Sequence, residues 1–353
     1  GCKYAIALGN GTLALDVALK AFSVGLGDDV IVTPRTFLAS VSSVVTAGAN
    51  PIFAEVDLNS QNITAETIEA VLTPNTKAVI VVHLGGMPAE MDAIMALSKK
   101  YSFYVIEDCA QAHGAKYKGR SVGTIGHIGC WSFCQDKIMT TGGEGGMVTT
   151  NDKSFWSKMW SYKDHGKSWE AVYEHKHPPG FRWLHESFGT NFRLTEMQAA
   201  IGRIQLKKLH SWRQARQENA GNIFAVCREF QTSLRVPSMP DCIEHAWYKC
   251  YVFVRQEGLK PGWDRDRIIN EINLLGIPCF QGSCSEVYLE KAFEDSGYRP
   301  KSRLPVAKEL GETSLMFLVH PTLTKKEIKI TCTGIRQIMT NATSGAKPLV
   351  KRP

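Results

Sequence analysis

The sequence has no uninterrupted apolar run near the ~20 residues that a membrane-spanning helix needs. It opens with GCKYAIALGNGT, where no charged segment leads into a long apolar stretch, so no signal peptide is expected there. Although it holds 10 cysteines, it has no Cys-x-x-Cys pair. The nearest approaches are Cys130 with Cys134 and Cys279 with Cys284, and neither has a His or Cys cluster at zinc-finger spacing. No metal site is therefore expected, and reduced, mostly buried thiols are. There is no arginine-rich block with interleaved aromatics, no internal repeat and no low-complexity segment. These absences point away from nucleic acid and from a repeat architecture. They leave a soluble, cytoplasmic globular protein as the expectation.

What is present fits an enzyme. The chain has 353 residues, 44% hydrophobic and 21% charged. That length serves a large domain plus a smaller one. A net charge of +7 suits an acidic ligand such as a phosphate or nucleotide, or is simply spread over a large surface. The closing KPLVKRP reads as a solvated basic tail. A strand-like YAIAL begins almost at residue 1, which leads us to expect missing residues upstream.

From the start to about Thr150, short β-branched runs alternate with helix-period segments. DVIVTP (Asp29 to Pro34), PIFAEVD (Pro51 to Asp57), KAVIVVH (Lys77 to His83) and FYVIEDC (Phe103 to Cys109) read as strands. FLASVSSVVTAGA (Phe37 to Ala49), TAETIEAVL with Thr64 as N-cap, and AEMDAIMALSKKY (Ala89 to Tyr101) read as helices. This rhythm predicts an α/β fold: a mostly parallel sheet covered by helices on both faces. Ligands collect at the carboxyl ends of such strands. Between Tyr162 and Phe192 the rhythm breaks into a long His-, Pro- and aromatic-rich loop, a length usually functional. A long helix follows from the N-cap Thr195 past Trp212. A smaller α+β unit then carries YKCYVFV (Tyr248 to Val254) as a strand and WDRDRIINEINLLG as a helix closed by Gly276. The expected division is a large domain over 1–215, a small domain over 216–345 and a basic tail over 346–353.

Three stretches could carry chemistry. VIEDCAQAHGA puts Glu107 and Asp108 at the end of a buried strand, as a functional acid pair or as a cap or ion-pair partner. LGNGTLALDVAL opens a helix with small residues, either as a phosphate cradle or as a plain turn capped by Thr12. CWSFCQDKIMTTGGEGGMV places a single lysine, Lys137, between an apolar run and a glycine cluster. A desolvated lysine amine forms Schiff bases with carbonyls. The glycines would let backbone pack closely against a bulky planar cofactor. An acid elsewhere can hold a pyridine nitrogen protonated, so one arrangement unites the three: Gly11 and Thr12 on a cofactor phosphate, Asp108 on the ring nitrogen and Lys137 on the aldehyde of pyridoxal phosphate.

With these motifs in order, followed by GTNFRLTEMQAAIG, the sequence resembles the DegT/DnrJ/StrS family of pyridoxal-phosphate sugar aminotransferases. The resemblance is strongest from about Tyr4 to Leu209. It implies the aspartate aminotransferase-like fold type I: a three-layer α/β/α large domain plus a smaller α+β C-terminal domain. It also implies that Lys137 carries the cofactor as a Schiff base and that Asp108 meets the pyridine nitrogen. Gln111 would lie against the ring or its hydroxyl, Phe37 would stack on the ring face, and Gly11, Thr12 and Ser132 would hold the phosphate. Asn191 would reach the phosphate of the neighbouring subunit's cofactor, so a homodimer with shared active sites is implied.

The implied reaction aminates a keto-sugar, most often linked to a nucleoside diphosphate, with glutamate as donor. Surface-glycan or lipopolysaccharide assembly is the usual setting, and antibiotic sugars are another. Arg193 and the loop histidines His165, His175 and His177 are candidates for contacting substrate, or are merely solvated. Two departures stand out. Gly85 in HLGGMPAEMDAI replaces a family aromatic, so the site wall is expected to differ in shape. The arm that precedes YAIAL in the family, and helps build the small domain and the substrate mouth, is absent from this sequence. A sugar dehydratase of the same fold is an alternative, but such relatives carry histidine in place of the lysine. A non-catalytic regulator that keeps the fold is another, against which Lys137, Asp108 and Ser132 are all retained.

Overall fold

A computed structural model describes residues 1–343, so the expected basic tail lies outside the described residues. The strands are β1 (Tyr4–Leu8), β2 (Asp29–Val32), β3 (Asn50–Phe53), β4 (Thr76–Val82), β5 (Tyr104–Asp108), β6 (Lys116–Tyr117), β7 (Arg120–Ser121), β8 (Ile128–Ser132), β9 (Gly146–Thr150), β10 (Leu234–Arg235), β11 (Ile243–Glu244), β12 (Cys250–Val254), β13 (Cys279–Phe280) and β14 (Ser314–Phe317). The helices are α1 (Gly11–Ala21), α2 (Ala39–Thr46), α3 (Ala65–Glu69), α4 (Met91–Tyr101), α5 (Lys153–Lys163), α6 (Trp169–Tyr173), α7 (Glu196–Cys227), α8 (Arg265–Leu274), α9 (Pro305–Thr313) and α10 (Lys325–Ala342). No described helix is long and apolar enough to cross a membrane.

Seven strands form the main sheet in the order β1-β9-β8-β5-β4-β2-β3. Only β9 runs opposite to the other six strands. The strands are apolar on both faces, as a sheet covered on both sides requires. Along β4, Ala78, Ile80 and Val82 face a core shared with α1, α2 and α5. Val79 and Val81 face the opposite core, with α3, α4 and α9. The period of two thus sorts one strand's residues into two cores and makes three layers. The expected mostly parallel α/β fold is what the chain adopts.

Several expected elements hold with small changes at their ends. Thr64 caps α3 and shares a capping box with Thr67. Thr195 and Gln198 form the same device at the start of α7. PIFAEVD stays in the sheet only to Phe53. Beyond it, the Glu55 carboxylate accepts from the N–H groups of Val306 and Ala307 at 2.8 and 3.1 Å, capping the start of α9.

The second sheet, β10-β12-β14-β13, backs onto α7, α8 and α10. Strand β12 faces two ways. Cys250, Val252 and Val254 enter that second core, while Tyr251 and Phe253 enter the core of the main sheet. Residues further on return to the main sheet as well: Val287, Tyr288 and Phe293 join the core around α1. The smaller layer is therefore fixed against the edge of the main sheet where the site forms.

Glu107 holds that edge together. Its carboxylate accepts from the N–H groups of Gly123, Ile125 and Gly126 at 2.8, 2.8 and 2.6 Å. It also meets His83 Nε2 at 3.0 Å. His83 Nδ1 accepts from Ala89 N–H, so Nε2 bears the proton and donates. Burial alone would raise the Glu107 carboxyl, but these donors outweigh it and hold it below the ordinary range. Its stabilising contribution is therefore present above the ordinary glutamate range and is lost as pH falls through the lower folded value. Glu107→Ala should cost on the order of 3–5 kcal/mol in urea unfolding, because it strands His83 and three backbone donors. A loss below about 1 kcal/mol would contradict this assignment.

Candidate active site

The site lies where the parallel strands end, as the fold requires. A cleft of about 880 Å³ opens between the carboxyl ends of β5 and β8, the start of α1 and the wall formed by Tyr248, Lys249 and the 282–290 segment. Of the residues selected from the sequence, the cleft gathers Gly11, Thr12, Phe37, Asp108, Gln111, Ser132 and Lys137. Asn191, Arg193, His165, His175 and His177 do not line it in the same chain. Arg193 is ion-paired with Asp164 at 2.6 Å. Asn191 Oδ1 accepts from the Arg193 N–H at 3.3 Å. His165 N–H donates to the Thr190 carbonyl at 3.0 Å. These three belong to the stem of the long aromatic loop.

The start of α1 is built for an anion. Asn10, not Thr12, is the N-cap, and its side chain accepts from Leu13 N–H at 2.9 Å. The first turn carries no acid, so the N–H groups of Gly11 and Thr12 stay available at the positive end of the helix. A Cβ on Gly11 would fall 2.6 Å from Ser132 Cβ, so only glycine lets the helix reach the end of β8. One glycine of the cluster after Lys137 acts here too. A Cβ on Gly146 would lie 2.2 Å from the Asn10 carbonyl oxygen, so glycine at this position lets β9 lie against the cap.

Asp108 is the neighbour of Glu107 and faces the other way. It is 7% exposed. Its two oxygens accept from Ser40 Oγ at 2.9 Å and from Ala110 N–H at 3.1 Å. Ser40 Oγ is in turn 2.8 Å from Thr36 Oγ1. Burial raises its pKa, and these donors and the Lys137 charge only partly oppose that. A buried carboxylate in this position has room and need for one more cationic donor. Gln111 is oriented by the N–H of Gly85, which donates to its Oε1 at 2.7 Å.

Gly85 has a φ of 62°, and a Cβ there would meet the Tyr251 ring at 3.1 Å. The Tyr251 ring of β12 thus fills the space beside Gly85. Phe37 is 72% exposed on the cleft and stacks on no other ring among the described residues.

Lys137 Nζ lies 3.3 Å from Asp136 Oδ2 and 5.4 Å from the Tyr248 ring centroid. Tyr248 Oη donates to the same Asp136 oxygen at 2.7 Å. Burial would raise the Asp136 carboxyl, but Tyr248 and Lys137 hold it below its ordinary value. His113 lies beneath, among Trp131 and Phe133, and burial lowers its pKa to about 3, so it stays neutral. It is a core residue rather than an acid–base group. Sequence reasoning did not single out Asn10, Ser40, Asp136 or Tyr248 for the site. Asn10 carries the only readable signal of these, an N-cap residue type one position before the helix.

A lysine and an under-neutralised acid facing a helix-start anion site define an enzyme cleft of the aminotransferase class. The chain belongs to the DegT/DnrJ/EryC1/StrS aminotransferase family, whose family model matches residues 1–336. It is similar to the X-ray structure of an aminotransferase from Psychrobacter cryohalolentis, with 64% identity, a TM-score of 0.95, and coverage of 96% of this chain and 88% of that one. The UDP-N-acetyl-3-dehydro-alpha-D-glucosamine 3-aminotransferase of Acidithiobacillus ferrooxidans is 34% identical, over 96% of this chain and 85% of that protein. The GDP-perosamine synthase of Caulobacter vibrioides is also 34% identical, over 96% and 86%.

The raised carboxyl of Asp108 predicts a pH effect. Above the ordinary aspartate range the unfolded chain releases this proton before the folded one does. Cofactor-free protein should therefore lose stability as pH rises from that range to the folded value. Asp108→Asn should remove this slope and raise the melting temperature at neutral pH. Melting curves across pH test this, and an Asn variant that melts lower at neutral pH would contradict it.

Proposed function

We propose that this protein is a pyridoxal-phosphate-dependent aminotransferase that converts a nucleotide-linked keto-sugar to an amino-sugar, with glutamate as amino donor. The observation that carries the reading is Lys137 and the under-neutralised Asp108 facing one cleft beside the open start of α1. The donor set fits the cofactor. Gly11, Thr12 and Ser132 suit its phosphate, Asp108 its ring nitrogen, Gln111 its hydroxyl side and Phe37 its face. When bound, pyridoxal phosphate supplies an aldehyde that condenses with amines and a protonated ring that draws electrons from the breaking bond.

The chain's own residues do the rest. Lys137 Nζ would hold the cofactor, and its amine, once free, would be the base that takes the proton from the donor's α-carbon and gives it back. Asp136 and Tyr248 keep that ammonium over the cleft. Asp108 keeps the ring nitrogen protonated, and binding relieves the charge that burial leaves poorly matched. The relatives named for UDP- and GDP-linked sugars support a nucleotide-linked substrate. Surface-polysaccharide assembly is the setting we assign.

The working unit is a homodimer with shared sites. The first half of α7 carries Met197, Ile201 and Ile204 along one side, 78%, 40% and 58% exposed. Phe181, Trp183 and Phe188 of the loop are exposed too. An apolar area of this kind suits a second copy. In that pairing Asn191 reaches the other copy's cofactor phosphate, and Arg193 and His165 approach its substrate.

Lys137→Ala should lower transamination of glutamate with a keto-sugar by several orders of magnitude and leave the circular dichroism spectrum unchanged. An undiminished rate would refute the mechanism. Met197→Glu with Ile204→Glu should convert a dimer to monomer in sedimentation. A wild-type monomer would refute the shared site.

A further inference from the structure

The cleft contains a second ammonium. Lys249 lines it, immediately before β12. Its backbone N–H donates to the Gly85 carbonyl at 3.1 Å, so the residue sits on a fixed element. Its Nζ donates to Ser283 Oγ at 2.9 Å. Among the described residues it makes no ion pair with a carboxylate. An ammonium has three donors, and Ser283 takes one. Lys137, by contrast, has Asp136.

The two ammonium groups share one ring. Lys137 Nζ is 5.4 Å and Lys249 Nζ 5.5 Å from the centroid of Tyr248. They are therefore no farther apart than those two distances laid end to end. Both ammonium groups thus lie within the span of one extended reactant.

The wall behind Lys249 is also positive. Arg35 is fully buried. Its Nε donates to Gln61 Oε1 at 3.1 Å, and its guanidinium lies 5.2 Å from the Tyr251 ring centroid. Both Nη atoms are buried without a partner. The Tyr251 hydroxyl in turn accepts from Ser283 N–H at 2.8 Å, so this ring joins the buried cation to the wall. A buried guanidinium with no carboxylate beside it is costly, and its field favours an anion at the wall. The acid on this wall, Glu290, takes no bond from Lys249, and Asp136 is engaged by Tyr248 and Lys137.

We propose that Lys249 and Ser283 form an anion seat in the cleft for the charged end of a reactant, a carboxylate or a phosphate. The seat rests on the transaminase reading and names how that site holds its reactants. A carboxylate comes from the amino donor, and a phosphate comes from the sugar nucleotide.

The test uses protein loaded with pyridoxal phosphate, as wild type, Lys249→Met and Lys249→Arg. Glutarate and pyrophosphate are titrated separately by calorimetry. Methionine keeps the stem and removes the charge, and arginine restores the charge. Wild type should bind at least one probe, Lys249→Met should bind it roughly tenfold or more weakly, and Lys249→Arg should recover most of the loss. A loss confined to glutarate assigns the seat to the donor. A loss confined to pyrophosphate assigns it to the nucleotide. A loss of both means that the two half-reactions share it. Equal binding by wild type and Lys249→Met overturns the proposal, and so does a wild type that binds neither probe. The absorbance of lysine-bound cofactor is recorded on each protein. Its presence in Lys249→Met separates failure of the seat from failure of the transaminase reading.

Discussion

Two consecutive carboxylates at the end of β5 govern this structure. Glu107 and Asp108 leave the strand on opposite sides, so one chemical group meets two environments. Glu107 meets four donors and is saturated. It ties the end of β4 and the 123–126 turn to β5. Asp108 meets two donors and is held above its ordinary pKa by burial. The saturated acid supports the edge of the sheet, and the undersupplied acid faces the cleft. Removing the first undoes the edge. Neutralising the second should relieve the fold and, on the function proposed, disable the site. Stability and function are thus set against each other at adjacent positions.

The rest of the cleft follows from how tightly the chain closes around that edge. The cap at Asn10 and the contact between Gly11 and Ser132 bring a helix start onto the strand end. Strand β12 completes the enclosure. Its alternate residues belong to different cores, so Tyr251 stands against Gly85 while Cys250 and Val252 stay behind. Tyr248 and Lys249 lead into the same strand, and the Tyr248 ring lies 5.4 Å from Lys137 Nζ. A wall built this way cannot shift without disturbing both cores.

The fold was legible because its signals are local. Runs such as KAVIVVH and the capping boxes at Thr64 and Thr195 carry their structure in a few neighbouring residues. The early departure of Ala54 to Asp57 from the sheet was not legible, because Glu55 leaves to cap a helix 251 positions away. Much of the site was legible too. Lys137, Asp108 and the Gly11–Thr12 turn lie in distinct motifs at strand ends, and the cleft gathers them. Glu107 and Asp108 were indistinguishable as letters, since only their directions separate them. Ser40, Tyr248 and Lys249 meet the site through tertiary contacts that no spacing encodes. Gly146 was seen within the glycine cluster after Lys137, but the surface it presses against, the Asn10 cap, is far away in sequence.

On the function proposed, Lys137 and Asp108 together hold a cofactor that accepts an amino group. An absorbance spectrum of the purified protein with pyridoxal phosphate, recorded before and after glutamate, tests this. A band of lysine-bound cofactor should form and disappear when glutamate is added. No band, or a band that glutamate leaves untouched, would rule the pairing out.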